Sequence, residues 1–403
     1  MYQPSPALLK KYADVLVKFA LRGGKWVKKG EAVFVHLPEC AKPFYLPLQK
    51  AILEAGAHPI IEYLPDGVTK HFFEHANDDQ IVFYPHHFLH GKVAQMDHVI
   101  SIIAEANKYE LKGIDPKKLA ARRHSRKEYM DRRRDKEHAG KHSWTIWMYG
   151  TPAMAKEAKL SLKEYRNQII KACYLDYKDP VAQRDKTAKH IEKIQKWLDK
   201  MKIEYVHVTW PDADLKVKIW ADRRWLGGRW VNIPSFEIFT SPDCRETEGR
   251  VRFNQPLYVY GQMIKWIELH FKKWVVTKFS AKENQKLLKE LIAIPNANRL
   301  WEFSLTDGRI SHITKFMGET LYDENMWGKY GNMHIALWAS YNDTRVGNVA
   351  KLSKKQAEKI WFNDSSEHKD IVSTAPKTVT AILKDGSKKV IYKDGQFAIK
   401  IAQ

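Results

Sequence analysis

At 403 residues the chain is too long for one compact core, and two domains are expected. Hydrophobic residues at 44% with 12% aromatics exclude general disorder, and no run approaches the roughly 18 apolar residues of a membrane span. The formal net charge of +21 would suit nucleic acid, but no zinc-finger, helix-turn-helix or RNA-recognition signature accompanies it, so nucleic acid is not the expected partner.

The N-terminus reads as an amphipathic helix from Pro6 to Leu21, stopped by Gly23 and Gly24, with no signal-peptide core. Cys40, Cys173 and Cys244 are far apart, odd in number and outside any CxxC spacing, which argues for a reducing cytoplasm. A strand over 31–37, a helix over 40–57 and a strand over 59–64 predict a βαβ unit on a mostly parallel sheet, continued by 93–105. Neither GxGxxG nor GxxxxGK is present. The densest basic stretch, Lys117 to Lys141, interleaves Glu128, Asp131, Asp135 and Glu137 at helical i,i+4 spacing and reads as a solvated helix face. HSWTIWMYG is a strand, Ser161 to Glu164 a capping box, and Pro180 opens a helix to about Met201.

IEYVHVTW and ADLKVKIW read as paired strands, and the domain boundary is drawn there: 1–212 an α/β domain, 213–403 an α+β domain with antiparallel strands. Alternating runs over 251–280 predict a meander, followed by a helix over 281–294 and a strand in RLWEFSL. NMHIALWASY is apolar and helix-compatible; seven residues is about two turns, which would put His334 and Tyr341 on one helical face. A strand over 363–370 and a C-terminal hairpin marked by Asp385-Gly386 and Asp394-Gly395 close the chain.

This half carries donors for a divalent metal, which takes carboxylate oxygen and neutral imidazole nitrogen. Glu237 follows a Pro-Ser turn, and Glu302 sits among apolar residues where burial without a cation would be costly. His368 and Asp370 alternate on a strand, and a metal could turn Tyr341 into a phenolate ligand. Taken singly, each residue reads more readily as core, turn or strand end than as a ligand.

NIPSFEIFTSP, TEGRVRFNQP, LWEFSL, LYDENMWGKYGNMHIALWASYND and NDSSEHKD, with LVKFALRGG and YGTPAMAKEA upstream, resemble the successive motifs of the thermophilic metallo-aminopeptidases, the family of aminopeptidases T and S. The resemblance implies a cytoplasmic homodimeric hydrolase that removes the N-terminal residue of peptides through a water activated by two divalent ions, zinc, cobalt, manganese or magnesium. Matched motif by motif, it implies Glu237, Glu302, His334, Tyr341, His368 and Asp370 as metal ligands, with Glu302, Glu237 and Tyr341 the catalytic candidates. Trp26, Trp301, Trp327 and Trp338 stand where the family pattern carries glycine, as do Trp147 and Trp230 by a looser match. Either the pocket is remodelled or UGA codons for glycine have been read as tryptophan. Two other functions fit parts of the pattern. A single-iron ring-cleaving dioxygenase would use His334, His368 and Asp370, and a non-catalytic scaffold would use the basic surface.

Overall fold

Ser5, whose hydroxyl accepts from the Leu8 amide, and Pro6 at the first helical position start α1 (Pro6–Val15). The computed structural model describes residues 4–400 apart from 22–24, 26, 220–221, 228–230, 339–340, 348–355 and 357–367. The chain folds as two compact units, Met1–Lys186 with Arg229–Pro234, and Thr187–Gly228 with Ser235–Gln403.

In the first unit β1 (Ala32–Pro38), α2 (Tyr45–Glu54), β2 (His58–Leu64), α3 (Val68–His75), α4 (Asp78–Val82), α5 (His86–Gln95) and β3 (His98–Ile103) follow in order. The basic stretch forms α6 (Pro116–Ser125) and α7 (Lys127–His138), laced by ion pairs such as Lys127–Asp131 and Arg132–Glu128. It is the solvated helix expected from its charge spacing. Next come β4 (Ser143–Met148), α8 (Pro152–Glu157), α9 (Leu162–Ala172) behind its Ser161–Glu164 capping box, and α10 (Pro180–Lys200), which belongs to the second unit from Thr187 onward. The first unit's sheet has the order β2-β1-β3-β4 and is parallel throughout, as the βαβ reading requires. Its core is held by Ala32, Phe34, Val93, Met96 and Val99. Trp147 is wholly buried, its ring 4.2 Å from Tyr12 and 4.9 Å from Phe44.

The chain continues as β5 (Ile203–Trp210), β6 (Ala213–Lys218), β7 (Leu226–Gly227), β8 (Asn232–Ile233), β9 (Glu237–Thr240) and β10 (Asp243–Arg252). β8 returns to the first unit and pairs in parallel with β4 as a fifth strand. β5 pairs with β6, which pairs with β10 of the second unit. Packing therefore divides the chain near residue 187, ahead of the 212/213 boundary drawn from sequence.

β11 (Leu257–Val259), β12 (Gln262–Ile264), β13 (Glu268–Lys272) and β14 (Val275–Ser280) are short antiparallel strands, and α11 (Gln285–Ile292) packs its leucines inward. β15 (Leu300–Thr306), α12 (Thr320–Asp323), β16 (Asn332–Trp338) and β17 (His368–Ser373) precede β18 (Thr378–Leu383), β19 (Lys388–Lys393) and β20 (Gln396–Phe397). An eight-stranded sheet runs β14-β13-β10-β6-β5-β18-β19-β20, and a five-stranded one β17-β16-β15-β9-β7. The α/β plus antiparallel α+β reading is borne out. One expectation is overturned: the segment around His334 is a strand, not a helix. Among the described residues no helix is long and apolar enough to cross a membrane.

Candidate metal centre

β15 is buried along its whole length, which is why LWEFSLT reads as a continuous apolar run with one acid in it. It lies between β9 and β16, and β16 lies between β15 and β17. The register aligns Glu302 with Ala336, and Ala336 with Asp370, so a row crosses three strands with only a methyl side chain between the two acids. His334 precedes Ala336 by one full pleat, and Glu237 stands opposite Thr306, two pleats along β15 from Glu302. Directly paired residues and residues two apart share a face. Glu237, Glu302, His334 and Asp370 therefore come from four adjacent strands onto one side of the sheet.

The His334 ring is the hub. Its Nε2 lies 3.2 Å from Glu302 Oε1, 3.6 Å from Glu237 Oε2 and 3.9 Å from Asp370 Oδ1. Its Nδ1 lies 3.3 Å from the Glu324 carbonyl oxygen. Glu237, Glu302 and His334 each bring one ligand atom within 4.8 Å of the others, and His334 is only 1% exposed. Ser235 donates to Glu237 Oε1 at 3.3 Å.

Burial pushes the Glu237 carboxyl up to about 7, with Glu302 and Asp370 adding to the rise and His334 opposing it. For His334 burial alone would lower the pKa. The hydrogen bond to Glu302 and the charges of Asp370, Glu302 and Glu237 outweigh it and hold the ring at about 9. Burial, then the neighbouring acids, raise the Tyr341 phenol well above its ordinary value. Several acids around one imidazole in a dry pocket repel one another, and a divalent cation would relieve that repulsion. The donor set of carboxylate oxygen and imidazole nitrogen fits such an ion.

Of the residues named from sequence, Glu237, Glu302, His334 and Asp370 converge. Tyr341 lies beyond the end of β16, its amide donating to Ser241 Oγ at 2.9 Å and its ring 5.3 Å from Phe239. His368 opens β17 opposite Trp338, and the side chains of both lie outside the described residues. The sequence reading missed Glu324. It caps α12, is 5% exposed, and is raised well above a normal carboxyl by burial, by Glu237, Asp370 and Glu302, and by a hydrogen bond to Asp370. The signal was at hand: Glu324 is an acid inside the long motif that also holds His334.

The tryptophans differ in setting. Trp301 is the extra residue of a bulge in β15, immediately before Glu302, and its buried indole N–H meets no acceptor among the described residues. Such a bulge re-aims the side chain beside it. A Cβ on Gly308 would sit 1.9 Å from the Trp327 indole nitrogen, so these two residues fit only with glycine at 308. Trp26 and Trp230 lie outside the described residues.

The family model described as thermophilic metalloprotease (M29) matches residues 6–397. Aminopeptidase 2 of Geobacillus stearothermophilus is 27% identical over 418 aligned positions, covering 98% of this chain and 98% of its own. Aminopeptidase T of Thermus aquaticus is 26% identical over 276 positions, covering 64% of this chain and 66% of its own. The solved structure of wild-type AmpT from Thermus thermophilus superposes with a TM-score of 0.83 at 20% identity, over 97% of this chain and 99% of that one.

Proposed function

The chain belongs to the thermophilic metalloprotease family M29, and on that footing we propose that it is an aminopeptidase releasing the N-terminal residue of peptides with two divalent ions in the centre on β9, β15, β16 and β17. The observation that carries this reading is the convergence of Glu237, Glu302, His334 and Asp370 from adjacent strands, with Glu324 against them. Glu237, Glu302, His334, Tyr341, His368 and Asp370 are the proposed ligands, and Glu324 joins them. Bound divalent ions supply a Lewis acid for the scissile carbonyl and ease deprotonation of the attacking water.

The protein groups handle the proton. Glu237 and Glu302 are the buried carboxylates placed to take and return a proton. One of the two accepts the proton of the attacking water and delivers it to the leaving amine. Burial and the neighbouring acids raise the Tyr341 phenol well above its ordinary value, so it would need a bound cation to ligate as phenolate. The free α-amine of the substrate pairs with the acidic cluster, which limits attack to the chain end. A cytoplasmic homodimer completes the reading. A single-iron dioxygenase needs one carboxylate, so the burial of Glu237 and Glu302 beside the same histidine favours the hydrolase.

The test is hydrolysis of leucyl-, methionyl- and arginyl-p-nitroanilide by protein stripped of metal and then given zinc, cobalt or manganese, with Glu302→Gln as control. Activity that returns with metal and is lost in the control supports the proposal. Oxygen uptake on iron addition without amide hydrolysis overturns it.

A further inference from the structure

Among the described residues, a second group besides the centre brings histidine and acid donors within 4.8 Å of one another: His86, His90 and Glu128 in the first unit. We propose that it is a separate binding site for zinc or a similar borderline divalent ion. His86 and His90 are one turn apart on α5, and their rings lie 3.7 Å centroid to centroid. Glu128, in the first turn of α7, brings Oε1 to 2.8 Å from His90 Nε2. That nitrogen is buried against the Glu128 carboxylate. The buried Tyr84 hydroxyl, whose ring lies 6.1 Å from that of His90, lacks a hydrogen-bond partner.

Two imidazole nitrogens and one carboxylate oxygen make a three-ligand zinc set, with the histidines at i and i+4 and a fourth position for water. A metal would turn the short His90–Glu128 contact into two bonds to a common ion. Arg132 opposes binding, because its Nε lies 3.2 Å from the same Glu128 oxygen. An ordinary ion-paired surface would not respond to metal as this one should.

The experiment counts zinc retained by the full chain after equilibrium dialysis against buffered free zinc. Wild type is compared with His86→Ala/His90→Ala, Glu128→Gln, Arg132→Ala and, to disable the buried centre, Glu302→Gln. The double-histidine variant retains one equivalent fewer than wild type, and the Glu302→Gln protein still responds to loss of the histidines. Arg132→Ala tightens the site several-fold, and Glu128→Gln weakens it about tenfold. Equal zinc in wild type and both the double-histidine and Glu128 variants overturns the site. So does an Arg132 variant with unchanged affinity.

A second inference rests on backbone geometry. Among the described residues, three hairpins have two-residue loops whose central residues both take positive φ, the pattern of a type I′ turn. They are Tyr260-Gly261 (50° and 70°), Asp394-Gly395 (51° and 78°) and Lys273-Trp274 (46° and 70°). The first two end in glycine, as such turns prefer; the third ends in tryptophan. Trp266 also has positive φ, at 55°, and Trp266 and Trp274 are 45% and 36% exposed, so core packing does not account for either. The left-handed region is strained for a bulky residue, and the chain carries 14 tryptophans against only 20 glycines. The geometry points to glycine at 266 and 274 in the protein as its own cells make it, through UGA codons translated as glycine. Peptide mass spectrometry of the protein from those cells decides. Glycine at 274 supports the inference, and tryptophan at 274 overturns it.

Discussion

Glu324 shows how much of a site can hide in one side chain. Its carboxyl is buried against Asp370, Glu237 and Glu302 and keeps a proton far above the ordinary carboxyl range. Its place in the long motif that also holds His334 is the one mark the sequence gives it, because an acid after a short helix is usually a solvated cap; its setting is legible only once the sheet brings three other acids to it. Glu324→Gln removes a charge a bound cation needs, so metal content and kcat both fall, the latter by roughly 10²–10⁴-fold. Atomic absorption and p-nitroanilide kinetics read the two effects. His334 gives a pH signature. Held at about 9 in the metal-free state, it must lose a proton before its Nε2 can bind metal. Zinc addition at pH 7 therefore releases this proton, and the release fades as pH rises through 9. Titration in weak buffer measures it, and His334→Gln abolishes that component.

At the scale of the element, the misread segment is the instructive one. NMHIALW is apolar at nearly every position because β16 is interior to its sheet, and such a strand lacks the alternation that would separate it from a helix. The seven-residue spacing of His334 and Tyr341 therefore reads, in sequence, as two helical turns. In the strand, His334 is aimed by pleat parity, and Tyr341 lies past its end. The parallel sheet of the first unit was easier to read, because its strands are bounded by helices with visible caps. β7 shows how tightly the edge of the metal sheet is fitted. A Cβ on Gly227 would lie 2.5 Å from the Glu237 carbonyl oxygen and 2.9 Å from an Ile191 methyl. Gly227→Ala must push β9 away, displacing Glu237. Peptidase activity is expected to fall at least tenfold at temperatures well below melting, with a stability loss of about 1–3 kcal/mol read from urea midpoints.

For the molecule as a whole, acid sensitivity should be concentrated in the first unit. Burial, then the positive charges of Arg133, Lys136 and His98, hold His142 at about 4 instead of 6.5. His36 is likewise held at about 4, by burial and by Lys92 and Arg133 against the pull of Glu62. Both favour the neutral ring in the fold. Their contribution is complete above pH 6.5, is lost as pH falls towards 4, and changes little below. Relative to wild type, His142→Gln should show a shallower loss of urea midpoint between pH 6.5 and 4, and the same dependence above 7.

The parallel sheet is finished by β8, which the chain supplies only after it has already begun the second unit. During synthesis the first unit thus emerges with β4 as a bare edge, its amides and carbonyls open to any passing strand. The nascent chain is most exposed to mispairing and to chaperone capture in the interval between β4 and β8. A stall or truncation anywhere in that interval leaves the same unclosed edge.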